Sequence, residues 1–148
     1  MAMEKCEIAF ETNPNFPPAV HYYTMCHDDY QDSIKRLKGA IQAYPSIPMS
    51  RRALFRAFIS NGEVDLAKDQ LIELHARFND SLSKVRFAEL YFVMGKQDIA
   101  YELLEKGINV REGPAYFTAV IPSMKEFQQQ ARFRELFKKI NHPVYADK

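Results

Sequence analysis

Apolar residues recur along most of this chain at intervals of three and four positions, so each segment carries one apolar and one polar face. This spacing is typical of amphipathic α-helices, whereas strands show strict alternation. The pattern therefore predicts an all-α chain. The two clearest apolar stripes are Leu54, Phe55 and Phe58, then Phe87, Ala88 and Tyr91.

The helical pattern repeats along the sequence. GEVDLAKDQLIELH, starting at Gly62, and GKQDIAYELLEKGI, starting at Gly95, share a glycine, an aspartate, an alanine and a leucine at a separation of 33 residues (95 − 62). Periods of about 20 to 50 residues are typical of stacked repeat proteins. We expect both glycines to end a leading helix, and Ser50 and Ser81 to cap the starts of those helices. The chain is predicted to be a series of helical hairpins.

The segment from Ser81 to Pro114 has the pattern of large and small residues that resembles the tetratricopeptide repeat (TPR). The residues that carry the resemblance are Phe87, Ala88, Tyr91, Gly95, Ala100, Leu104 and Gly107. The resemblance implies an all-α, right-handed superhelix of hairpins in one domain over 1–148. Its parts are a half repeat (1–14), repeats at 15–46, 47–80 and 81–114, and a cap at 115–148.

Earlier repeats depart from the family pattern. Phe55 and Leu74 stand where the family has small residues, and His21 and Thr24 depart from the family pattern in the leading helix of the first complete repeat. The chain also lacks the family's tryptophan.

The tail RFRELFKKINHP, which starts at Arg132, is similar to the closing segment of repeat arrays in bacterial CadC-like, winged-helix transcription activators. Phe133, Phe137 and Ile140 form one apolar stripe, which we expect to cover the end of the stack. The opening residues look instead like a second helix without its first, which would expose Ile8 and Phe10 or their neighbours. We therefore expect a fragment of a longer protein, or a homodimer formed through the half repeat.

The resemblance implies a partner-binding groove along the leading helices. Arginine guanidinium groups pair well with carboxylates, so an acidic peptide or helix is a suitable partner. The simpler interpretation is that these arginines are solvated charges with glutamate partners nearby. The predicted groove residues are Tyr22, Met25, Arg52, Arg56, Arg86, Glu89 and Phe92.

The net charge and the absence of known motifs argue against nucleic-acid binding, membrane binding, metal binding and catalysis. With 20 basic and 19 acidic residues the net charge is +1, so no overall field attracts nucleic acid or an anionic membrane. HYYTMCHDDY lacks the second ligand cluster that a metal site needs, and no catalytic motif is present. We expect no enzyme activity, metal or cofactor. Cys6 and Cys26 are interpreted as two thiols, with a disulfide as the open alternative.

These observations predict a protein-interaction or sensory module, the C-terminal TPR-like domain of a bacterial transcription regulator. The alternative is a free-standing TPR adaptor or secretion chaperone. We expect a protein or peptide partner, no direct nucleic-acid binding by this segment and no membrane binding. A cytoplasmic location is expected, or a periplasmic one if the parent protein is membrane-anchored.

Overall fold

A computed structural model describes residues 2–121 and 124–146, except the side chains of residues 2, 3 and 6. The described residues form helices and connections without a strand, so the predicted all-α fold class is confirmed. The helices are α1 (Ala2–Thr12), α2 (Pro17–Cys26), α3 (Tyr30–Ala43), α4 (Met49–Ser60), α5 (Val64–Phe78), α6 (Lys84–Val93), α7 (Gln97–Asn109), α8 (Gly113–Thr118), α9 (Lys125–Gln128) and α10 (Ala131–Lys139).

The chain divides into two compact units, Met1–Asn79 with α1–α5 and Asp80–Lys148 with α6–α10. The division lies one residue before the predicted boundary between the repeats at 47–80 and 81–114. Helices α2 and α3 lie in segment 15–46, α4 and α5 in 47–80, and α6 and α7 in 81–114. The grouping of all residues into one TPR-like domain stays a prediction.

In the N-terminal unit, α2 packs against α1, α3 and α4, and α4 packs against α3 and α5. Phe10 of α1 is buried, with its ring centroid 4.4 Å from that of Tyr23 and the Arg36 guanidinium 4.3 Å above it. The expectation that Phe10 is exposed is therefore wrong, because α2 and α3 supply its covering. Ile8 is exposed, as expected. The side chain of Cys6 lies outside the described residues.

The ends of the leading helices are partly as predicted. Gly62 and Gly95 follow α4 and α6 with φ angles of 79° and 73°, so both are in the left-handed region that ends helices. The predicted serine caps are wrong. Ser50 lies inside α4 and is buried, and Ser83 rather than Ser81 caps α6 by accepting a hydrogen bond from the Arg86 N–H.

The C-terminal unit is built around the α6–α7 hairpin. Helix α8 packs against both of these helices, and α10 packs against α7 and α9. Phe133 and Phe137 are fully buried and Ile140 is partly buried in the same cluster as Phe92. The predicted covering stripe is therefore confirmed within this unit. Among the described residues, no helix has the length and apolar composition needed to span a bilayer.

Helices α6 and α7 approach closely at Gly107. A Cβ atom on Gly107 would lie 2.5 Å from Cγ2 of Val85 and 2.8 Å from Oε2 of Glu112. The Glu112 carboxylate accepts hydrogen bonds from the backbone N–H groups of Lys84 and Val85, at 3.0 and 2.9 Å. A carboxylate from the residue before α8 thus satisfies two N–H groups in the first turn of α6.

Candidate functional site

The seven predicted groove residues are divided between the two units. Tyr22 and Met25 on α2, with Arg52 and Arg56 on α4, belong to the N-terminal unit. The other three are on α6 of the C-terminal unit: Arg86, Glu89 and Phe92. The two groups have different environments.

The α6 residues serve the interior of the C-terminal unit. Glu89 is fully buried, and its two carboxylate oxygens accept hydrogen bonds from Nη1 of Arg86 at 2.8 and 3.0 Å. The Thr118 hydroxyl donates to the same carboxylate at 2.7 Å. Phe92 is buried with its ring centroid 4.3 Å from that of Phe127.

The expectation that Glu89 and Phe92 line an open groove is therefore corrected. The reason is that the segment after α7 folds back over α6 and covers both side chains. Arg86 does have the glutamate partner that the simpler interpretation gave it. The apolar residues of the tail indicated that it packs against the rest of the chain. The apolar periodicity could not show that it packs on Glu89 and Phe92 of α6.

The N-terminal residues lie on the surface and around a cavity. Tyr22 and Met25 have 59% and 70% of their surface exposed, while Arg52 and Arg56 are half-buried. We call these four residues, which the family resemblance predicted to line one groove, the basic groove. Beside them, α2, α3, α4 and the α2–α3 connection enclose an open cavity of about 500 Å³. Its lining includes His21, Met25, His27, Asp28, Tyr30, Leu37, Ala53, Arg56 and Ala57.

The sequence interpretation treated His21 as a departure from the repeat pattern and as part of a segment that lacks a metal-ligand cluster. Burial, and then the nearby charges of Arg56 and Arg52, lower the pKa of His21 from 6.5 to about 4. The imidazole is therefore neutral at pH 7. Its Nδ1 atom is buried and has no hydrogen-bond partner among the described residues. The signal in the sequence was a histidine at a packing position of a leading helix.

Tyr30 and His27 are two other polar residues around the cavity with neighbours within the unit. The Tyr30 hydroxyl donates a hydrogen bond to the Glu63 carboxylate, and burial together with Glu63 raises the pKa of Tyr30 to about 12. His27 stacks on Tyr23 at 4.0 Å between ring centroids, and its Nε2 lies 3.8 Å from a Glu7 carboxylate oxygen. No cluster of three or more histidine, cysteine or acidic side chains suited to a metal occurs in the described part of the chain.

A second cavity, of about 510 Å³, lies in the C-terminal unit beside Arg111, Tyr116, Lys139 and Asn141. Arg111 and Asn141 have φ angles of 57° and 52°, in the left-handed region. The Lys139 ammonium lies 3.2 Å from a Glu105 carboxylate oxygen, so one of the two cations at this cavity is already paired. The N-terminal cavity differs in that its lining combines Arg56 with the neutral His21.

The chain was compared with known proteins at three levels. No protein-family model, curated protein sequence or solved structure matches it.

Proposed function

We propose that this chain is a protein-interaction module that binds an acidic segment of a partner at the basic groove. The observation that carries the proposal is that Met25 of α2 and Arg56 of α4 line one open cavity, on two packed helices that also carry exposed Tyr22 and half-buried Arg52. Aromatic, methionine and arginine side chains are enriched at protein interfaces, because they combine large contact area with directed hydrogen bonding. A carboxylate on the partner supplies the complementary charge.

The test is site-specific photo-crosslinking in cells of the source organism. A benzophenone side chain at Tyr22 or Met25 is expected to form a covalent adduct with one defined protein. Arg52→Glu combined with Arg56→Glu is expected to abolish that adduct, since like charges then face each other. Lys35→Glu with Lys38→Glu, on the exposed face of α3, makes the same change in net charge outside the groove.

The control double variant should keep the adduct. If the arginine double variant is folded by circular dichroism and still gives the adduct, the basic groove is not the binding surface. If no position gives an adduct, the chain is not an interaction module of this kind.

The parent protein that we propose is a cytoplasmic bacterial transcription regulator, with this chain as its C-terminal, TPR-like sensory part. The tail supports this proposal, because the covering residues Phe133 and Phe137 that the family resemblance singled out are fully buried. An immunoblot of source cells is expected to show a band far above 17.2 kDa. A band at 17.2 kDa would instead favour a free-standing adaptor.

A further inference from the structure

The cavity between α2, α3 and α4 has the size of a small-molecule site. Its volume of about 500 Å³ lies within the range of about 300–1,000 Å³ that is usual for ligand pockets. Residues of all three helices and of the α2–α3 connection line it, so a ligand would contact several elements of the N-terminal unit at once. Such a site suits a compact ligand.

The charges of the lining offset one another. Among the described residues that line the cavity, Arg56 is the one arginine or lysine and Asp28 is the one carboxylate, and Arg56 also has interactions within the protein. The Glu63 carboxylate accepts the hydrogen bond of Tyr30 and lies at the start of α5, where the helix dipole offsets its charge. An ionic ligand would lose hydration without gaining an uncompensated partner, so the lining disfavours anions and cations alike.

The two histidines of the lining do not change this balance. His21 is neutral at pH 7, because burial and the nearby arginines lower its pKa to about 4. His27 lies 3.8 Å from a Glu7 carboxylate oxygen, so its protonation would form an ion pair with Glu7 rather than an isolated charge in the cavity. The lining therefore favours a neutral ligand.

Most of the lining is polar. Of the thirteen described residues that line the cavity, nine have a side chain that can form hydrogen bonds. The four apolar residues are Met25, Leu37, Ala53 and Ala57. A hydrocarbon would cover the polar groups without bonding to them, which costs free energy. The ligand therefore needs hydrogen-bonding groups over most of its surface.

Ser33 is the residue that indicates a ligand most directly. Only 6% of its surface is exposed, and it lines the cavity. Its hydroxyl forms no side-chain hydrogen bond with another residue in the part of the chain that the structure describes. Because buried polar groups are nearly always bonded, an unpartnered hydroxyl at the wall of a cavity is placed to bond to a ligand atom.

The hydrogen-bonding groups of the lining include both donors and acceptors. The Thr24 hydroxyl donates to a backbone carbonyl at 2.9 Å and the Tyr30 hydroxyl donates to Glu63, so toward a ligand both can only accept. Arg56 can only donate, and the Ser33 hydroxyl can do either. A ligand hydroxyl donates one hydrogen bond and accepts two, so it can bond to either kind of neighbour. A ligand with several hydroxyl groups therefore fits this lining.

We propose that this cavity binds a small neutral molecule with several hydroxyl groups, a monosaccharide or a cyclic polyol, with one of its hydroxyls bonded to Ser33. Arg56 and Asp28 would bond to further hydroxyls, and the four apolar residues would cover the C–H groups of the ring. This inference does not rest on the proposed function, because the binding needs no partner protein.

Nuclear magnetic resonance titration of the full chain tests the class of ligand. The probes are D-glucose, D-galactose, D-mannose and myo-inositol, and cyclohexanol is the control with a ring of the same size and a single hydroxyl. We expect saturable shifts of α2–α4 amide signals with at least one of the four probes, and binding weaker by roughly tenfold or more with cyclohexanol. No saturable shift with any of the four, or equal binding of cyclohexanol, would overturn the proposal.

Salt and charged sugars test the charge balance. The affinity for the best probe should stay within about twofold between about 0.05 and 0.5 M NaCl, because salt screens only interactions between charges. D-Glucuronate and D-glucosamine have the ring of glucose with a negative or a positive charge. Tighter binding of either one than of every neutral probe would show that an uncompensated charge governs the site, and would overturn the assignment to a neutral ligand.

Variants locate the site. Ser33→Ala is expected to weaken binding by roughly threefold to tenfold, and Ala57→Leu to abolish it by filling the cavity. Ser46→Ala, on the exposed α3–α4 connection outside the lining, is the matched control and should bind normally. Thermal unfolding shows whether each variant is folded. Normal binding by folded Ala57→Leu would overturn the assignment to this cavity, and if that variant is unfolded, normal binding by Ser33→Ala would do so.

The ligand titration and the partner crosslink give separate answers. Binding of a polyhydroxyl probe without any crosslinked partner would remove the interaction module and keep the ligand site. A groove-dependent partner without binding of any probe would do the reverse.

Discussion

Gly107 is the residue at which the α6–α7 contact has the least space. An alanine Cβ there would lie 2.5 Å from Cγ2 of Val85 and 3.2 Å from its backbone nitrogen, and the backbone atom cannot swing away. Alanine improves intrinsic helix stability by about 1 kcal/mol. The steric cost is larger, so we expect Gly107→Ala to lower the free energy of unfolding by roughly 1–3 kcal/mol. Urea unfolding of the full chain measures this change.

Gly39 provides the matched control for that substitution. It also lies inside a helix, α3, but its added Cβ would meet only the end of the exposed Asn15 side chain, at 3.3 Å. That side chain can move, so Gly39→Ala should be neutral or slightly stabilising. Equal destabilisation by the two substitutions would mean that the Gly107 contact is not the cause.

The lowered pKa of His21 predicts how the free energy of unfolding changes with pH. Its pKa is about 4 in the folded chain and near 6.5 when unfolded, so between these values the unfolded chain binds more protons. The free energy of unfolding should therefore fall as the pH is lowered from about 7 towards 4. Below the folded pKa the contribution of His21 stops changing.

The measurement is urea unfolding of the native chain and of His21→Gln at several pH values. Other titrating groups are common to both proteins, so the difference isolates His21. We expect the native chain to take up close to one more proton on unfolding near pH 5 than the variant does. Parallel pH profiles would show that His21 titrates normally in the folded chain.

At the scale of the elements, α10 contributes two fully buried aromatic rings to the C-terminal unit. Phe133 and Phe137 lie 4.6 Å apart between ring centroids, within the cluster that also contains Phe92. Phe137→Ala should cost about 3–5 kcal/mol, because it leaves a cavity among residues fixed by two other helices. Phe117 on α8 has 64% of its surface exposed, and Phe117→Ala should change stability little. Chemical denaturation of both variants tests this.

A small effect of Phe137→Ala would mean that α10 is loosely attached. In that case amide hydrogen exchange should show α10 opening at lower free energy than α6 and α7. Strong protection of α10 from exchange, together with a small effect of Phe137→Ala on stability, would contradict the burial of Phe137 in the core of this unit.

Most of the helices were predictable from the sequence, because they carry a local pattern of apolar residues, whereas the short helices α8 and α9 were not predicted. The stripe at Phe133 and Phe137 indicated a covering helix, and glycine at Gly62 and Gly95 indicated helix ends, since few other residues adopt positive φ without strain. The serine caps were wrong because Ser50, Ser81 and Ser83 are chemically alike, and only the three-dimensional path of the chain selects among them.

The candidate site was less predictable, because it depends on which segments meet. The exposure of Tyr22 and Met25 could be predicted from their positions on the leading helix α2. The burial of Glu89 beneath Thr118 depends on a contact 29 residues away (118 − 89) that no local pattern specifies. His21 became a candidate only when its burial beside Arg52 and Arg56 was known.

At the scale of the whole molecule, the division at residue 79/80 predicts that the C-terminal unit folds by itself. Its hydrophobic core cluster extends from Val85 to Phe137, with partly buried residues as far as Tyr145 packed against it, so every member comes from the same unit. A segment of 69 residues (148 − 79) is long enough, since many domains of about 55–65 residues fold alone. Residues 80–148 expressed alone should therefore show a helical circular dichroism spectrum and one cooperative unfolding transition.

Gly107→Ala makes this last prediction quantitative. If the isolated unit has the same α6–α7 contact, the substitution should lower its free energy of unfolding by the same amount as in the full chain, within about 0.5 kcal/mol. A helical fragment that unfolds without cooperativity would show that its core needs residues 1–79. A cooperative fragment that is insensitive to Gly107→Ala would have to fold with a different packing of α6 on α7, because the contact at Val85 leaves no space for a methyl group.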